Sequence, residues 1–132
     1  MTNYIWVTTQ KEMIHQYPDA PEGVEFLKHP HRHLFKFKIY TEVFHDDREI
    51  EFILFKRFVD KLINSMDKDL KTKSCEMISN FLYNDINSRY PDRDVIIEVS
   101  EDGENGSRYF YSKENQTINN NKTLNDFIDK NV

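Results

Sequence analysis

The chain has 132 residues and a mass of 16.0 kDa, one domain's worth of material. Its 38% apolar and 14% aromatic content, with ten Phe and seven Tyr, excludes a disordered polymer. A net charge of −5 with a pI near 5.5 argues against a nucleic-acid binder, and no apolar run reaches the roughly 18–20 residues of a membrane helix.

In chain order, Tyr4-Ile5-Trp6-Val7-Thr8-Thr9 reads as a short strand, followed by a less regular stretch ending at His15. The opening lacks the basic start and apolar block of a secretory signal. Gln16 to Pro30 holds three of the four prolines and reads as a long ordered loop, a kind that is often functional. From His31 to Val43 the residues alternate: His31, His33, Phe35, Phe37 and Ile39 share one strand face, and Arg32, Leu34, Lys36 and Lys38 share the other. Phe44 to Arg48 is a polar turn, and Glu49-Ile50-Glu51 reads as a short return strand.

The period then changes to that of a helix, with Phe52, Phe55, Val59, Leu62, Ile63 and Met66 on one stripe. A polar linker, Asp67 to Lys73, leads to a second helix with Ser74 as N-cap and a face of Met77, Ile78, Phe81, Leu82 and Ile86. Tyr90-Pro91 stops it. Val95, Ile97 and Val99 alternate as a strand, and Arg108 to Tyr111 forms another after the turn Asp102 to Gly106. Residues 113–132 are an Asn-rich polar tail, with Leu124, Phe127 and Ile128 either loose or on a short helix capped by Thr123. A lone cysteine, Cys75, forms no internal disulfide, so a reducing cytoplasm is the expected compartment, and the sequons at Asn105, Asn115 and Asn121 carry no glycan there.

His31 and His33, two apart on a strand, project from one face with Cβ atoms about 6.5–7 Å apart. Two imidazoles at that spacing can converge on a tetrahedral zinc if a third ligand arrives. His15 is the candidate supplier, and three histidines leave a position open for water or substrate. His29 lies close enough to replace one of them, and His45 sits in a solvated turn. The alternative is an ordinary His-x-His pair on a strand surface.

His15 to Gly23, followed by His31-Arg32-His33-Leu34-Phe35, resembles the metal-binding signature of the 6-pyruvoyl-tetrahydropterin synthase and 6-carboxytetrahydropterin synthase family. Glu51-Phe52 with Lys56, Ser74-Cys75-Glu76 and Val99-Ser100-Glu101 resemble its later landmarks, in order, so the likeness spans roughly residues 4–111. The resemblance implies an α+β tunnelling fold over 1–112, β-β-α-α-β-β, with a four-stranded antiparallel sheet and two helices on one face. It also implies zinc at His15, His31 and His33. Glu101 would grip the N–H edge of a pterin- or purine-like ring, with Ser74 and Cys75 lining the pocket.

The departures concern catalysis. The family's loop cysteine is replaced within Val24 to Lys28, with Phe26 at the matching position, and its Asp-His pair has no counterpart in Asp67 to Lys73. His-Gly-His has become His-Arg-His, which places a cation beside the site. Lys28, His29, Arg32 and Asp69 are candidate replacements, and Lys28, Arg32 and Lys36 a candidate patch for a triphosphate.

Three readings follow. One is a zinc-dependent lyase of pterin or 7-deazaguanine (queuosine-type) biosynthesis acting on a dihydroneopterin triphosphate-like substrate. The second is a binding protein that keeps zinc and the Glu101 anchor without turnover. The third is a scaffold. Uncovered sheet edges, and the family's habit of joining sheets into a barrel, imply a hexamer-like homo-oligomer in which Glu101 reaches a neighbour's zinc site.

Overall fold

The computed structural model describes residues 1–115. Strands β1 (Asn3–His15), β2 (His31–Val43), β3 (Val95–Glu101) and β4 (Asn105–Tyr111) form one sheet in that order, every neighbouring pair antiparallel. Helices α1 (Phe52–Asn64) and α2 (Cys75–Arg89) connect β2 to β3. This is the α+β order β-β-α-α-β-β.

Register decides which side chains meet. His15 pairs with His31, Met13 with His33, Lys11 with Phe35, and Phe35 in turn with Glu101. Because side chains alternate faces, the odd-numbered residues of β1, β2 and β3 point to the same side. That side holds the core: Val7, Met13, Phe35, Phe37, Ile39, Ile97 and Val99 are buried. Helix α1 adds Phe55, Val59, Leu62 and Ile63, and α2 adds Ile78, Phe81, Leu82 and Ile86. Each such large apolar side chain contributes about 1.5–3 kcal/mol on leaving water. At the end of this face the apolar series stops, and the same odd positions carry His15, His31, His33 and Glu101.

Three expectations are corrected. Strand β1 does not stop at Thr9 but runs to His15, because each of its residues has a partner on β2. Its outer edge near His15 is also covered: Ile14 N–H donates to the Lys68 carbonyl at 2.9 Å, and Leu70 N–H to the Ile14 carbonyl at 2.8 Å. Glu49 to Glu51 is not a strand. Glu51 is the N-cap of α1, accepting from Leu54 N–H at 2.9 Å, while Glu49 accepts from Phe44 N–H and pairs with Arg93 at the approach to β3. Phe52 and Met77, assigned to buried helix faces, are exposed in the first turns of their helices.

The loop between β1 and β2 is ordered through its own backbone. Tyr17 N–H reaches the Leu27 carbonyl at 2.7 Å, and a 3-10 turn occupies Glu25–Lys28. A 3-10 turn at Lys113–Asn115 closes the described chain; the tail elements suggested at Thr123, Leu124, Phe127 and Ile128 lie outside it. No helix among the described residues is long and apolar enough to cross a membrane.

Candidate metal centre

The hairpin register places His15 directly opposite His31, and the two-residue step along β2 brings His33 to the same side. Ring centroids are 4.6 Å apart for His15 and His31, 5.3 Å for His15 and His33, and 5.0 Å for His31 and His33. One candidate ligand atom from each lies within 4.8 Å of the other two. Bonds near 2.1 Å in a tetrahedral site set donors about 3.4 Å apart, so the cluster is somewhat wider than a closed site.

The hydrogen bonds at the back of each ring determine which nitrogen faces the cluster. His15 Nδ1 lies 3.0 Å from the Lys73 carbonyl and His31 Nδ1 2.8 Å from the His29 carbonyl. Carbonyls only accept, so both Nδ1 atoms donate. His33 Nδ1 donates to Asp102 Oδ2 at 2.7 Å. In each neutral ring, Nε2 is then the nitrogen with a lone pair, the form in which histidine binds a metal.

The Nε2 atoms of His15 and His33 are buried without a hydrogen-bond partner. Glu101 Oε2 lies 2.9 Å from His15 Nε2 and 3.8 Å from His33 Nε2, but not aligned for a hydrogen bond. A lone pair and a carboxylate oxygen this close repel each other unless a cation or proton lies between them. Three imidazole nitrogens beside a carboxylate are also the donor types that zinc takes. The residues therefore fit a divalent metal of the zinc class. Phe35, fully buried, packs edge-on against His15 and His33, with ring centroids at 5.2 and 5.9 Å.

A cleft of about 550 Å³ opens beside the cluster, lined by His15, His31, Ser74, Cys75, Glu101 and Gly106 among others. The three substrate-side residues singled out in the sequence thus share one cavity with two of the histidines. Ser74 is spent on the helix: its Oγ accepts from Met77 N–H at 3.2 Å. Burial, reinforced by the charge of Glu101, pushes the Cys75 thiol up to about 12, so it is a neutral wall at ordinary pH and not a nucleophile. Glu101 stands at the cluster of its own chain, where the sequence reading sent it to a neighbour's.

Other expectations are not met. His29 gives the site its carbonyl and not its ring, whereas His45 is exposed, as its place in a solvated turn implies. Arg32 does not stand beside the metal positions: as an even residue it faces the opposite side of the sheet, paired with Glu12 at 3.0 Å. Lys36 lies on that side too, in a shallower hollow of about 840 Å³, so Lys28, Arg32 and Lys36 form no patch in the cleft. Asp69 Oδ1 accepts from Lys71 N–H at 2.9 Å, within its own loop. Phe26 is exposed.

The sequence reading missed Asp102, treated there as one acid in a glycine-containing turn. Its Oδ1 accepts from Leu34 N–H at 2.9 Å while Oδ2 holds His33. These contacts, the Leu34 amide first, keep its carboxyl below the usual carboxylate range. The signal was its place directly after Glu101, but only the pairing of β3 with β2 reveals the partner.

No protein-family model and no curated protein matches this sequence. The functional reading therefore rests on the geometry above and on the motif likeness.

Proposed function

We propose that this chain is a zinc-dependent protein similar to the 6-pyruvoyl- and 6-carboxytetrahydropterin synthases, acting on a pterin of the dihydroneopterin triphosphate type. The observation that carries the reading is the convergence of three imidazoles, each with Nδ1 hydrogen-bonded behind it so that Nε2 is left as the candidate ligand atom. His15, His31 and His33 would hold the zinc, which when bound supplies a Lewis acid for substrate hydroxyls. Glu101, at the junction of cluster and cleft, would accept from the N–H edge of the heterocycle. Ser74 and Cys75 would form the wall against its ring. A cytoplasmic homo-oligomer belongs to the same proposal.

A second reading is favoured by specific observations: a pterin- or purine-binding protein without turnover. The Cys75 thiol is held neutral, Asp69 is engaged in its own loop, and Arg32 is on the far face. General acid–base groups are commonly worth 10²–10⁴-fold each, so a cleft in which none of these three acts as acid or base favours binding over reaction. Elemental analysis of the purified protein, calorimetric titration with pterins and purines, and a turnover assay separate the readings. Zinc with turnover supports the first, zinc with binding alone supports the second, and absence of both zinc and ligand binding refutes both.

A further inference from the structure

We propose that Asp102 is a positioning residue for this centre, acting through His33: it holds the imidazole in the Nδ1–H tautomer and in the orientation that presents Nε2 to a divalent metal. The inference rests on the metal reading of the three histidines and assigns a role within it.

The carboxylate is clamped from two directions. Oδ2 takes the His33 Nδ1 proton at 2.7 Å, and Oδ1 takes the Leu34 amide proton at 2.9 Å. The Asp102 amide returns a bond to the Leu34 carbonyl at 2.8 Å. The residue is thus fastened to two successive positions of β2 from the turn after β3, and its carboxylate cannot turn away without breaking that pairing. Its φ of 58° lies in the left-handed region, which Asp and Asn tolerate better than most residues. Of the three rings, His15 and His31 are held by neutral carbonyls, and His33 by a charged acceptor. A carboxylate behind a ligating histidine fixes the ring and raises its basicity as a ligand.

Both oxygens are needed as acceptors, and this separates Asp from its isostere. Asparagine offers one acceptor and one donor group. With its oxygen on the Leu34 amide, its NH₂ faces His33 Nδ1, which can accept only after the ring proton has moved to Nε2. The nitrogen that should meet the metal then carries hydrogen. Glycine at 102 accepts the positive φ and leaves water to take the Nδ1 proton, so it spares the tautomer.

The test uses the full chain as wild type, Asp102→Asn and Asp102→Gly. Zinc affinity is measured by competition with a chromophoric chelator, the His33 tautomer by ¹⁵N–¹H spectroscopy of the metal-free protein, and folding by thermal melts. Asp102→Asn should lower zinc affinity about 10–100-fold, more than Asp102→Gly does, with the His33 proton found on Nε2. A merely structural role predicts the reverse order, since Asn conserves shape. Wild-type zinc affinity in Asp102→Asn, or an Asn variant milder than Gly with the tautomer unchanged, overturns the role of Asp102 and leaves the histidine site standing. A wild-type protein that takes up no zinc overturns both.

Discussion

Replacing His31 with alanine should abolish the stabilisation of this protein by zinc while leaving the metal-free fold nearly intact. A ligand that binds only the native state at about 100 times its Kd stabilises it by about 2.7 kcal/mol. For a domain of this size, each kcal/mol moves Tm by about 4 °C, so wild type should gain about 10 °C. The cost of the substitution without metal is smaller. His31 is only partly buried, and the hydrogen bond of its ring to the His29 carbonyl at 2.8 Å is worth about 0.5–1.5 kcal/mol. Differential scanning calorimetry with zinc and with chelator resolves the two effects. The expected pattern is a large zinc-dependent shift in wild type, none in His31→Ala, and closely spaced metal-free melting temperatures. A variant that keeps the wild-type zinc shift would refute the assignment of His31 as a ligand. A metal-free collapse of His31→Ala would instead show that the ring is a core element.

Further expectations concern the surroundings of the site. Lys11 Nζ donates to the carbonyls of Ile63, Asn64 and Met66 at the end of α1, the last at 2.6 Å, where a cation also favours the helix dipole. Lys11→Met should destabilise by about 1.5–3 kcal/mol in urea unfolding, and an unchanged midpoint would show that these contacts contribute nothing. The Arg93 guanidinium, followed by the Phe44 amide, lowers the Glu49 carboxyl to about 2, from an ordinary value of 4.5. A lowered carboxylate stabilises the folded state above its unfolded value and loses that contribution as pH falls through its folded value. Wild type should therefore be more stable than Glu49→Gln at pH 7, with the gap shrinking between about pH 4.5 and pH 2; a gap that stays constant over that range refutes the pairing. The Cys75 thiol, raised to about 12 by burial, should react with iodoacetamide at pH 7.5 only after unfolding, and prompt labelling of the native protein would show the wall of the cleft to be open.

What could be read directly from the residues was their alternation. The two-residue period from His31 to Val43 puts both histidines on the side of Phe35 and Phe37, and the helical stripes through Val59 and Leu82 bury as that pattern requires. The Ser74 cap was legible for the same reason, since capping is a contact between near neighbours. The full length of β1 was not. Gln10, Lys11 and Glu12 carry little strand preference, and they are held in the sheet by pairing with Lys36, Phe35 and Leu34 of β2. Strand alternation puts Lys11 on the core side, and the carbonyls at the end of α1 satisfy its ammonium there.

The same division runs through the site. His31 and His33 were identifiable as donors from their kind and their shared strand face, His15 as the candidate third from its place before the loop, and Glu101 from the family resemblance. That His15 stands opposite His31, that Lys73, His29 and Asp102 occupy the backs of the rings, and that Arg32 turns away are consequences of register and of loops joined across as many as 69 positions of sequence. Side-chain direction follows from local backbone geometry and is written in the order of residues. The tautomer and aim of each imidazole depend on acceptors brought in by distant segments, and those are set only when the sheet closes.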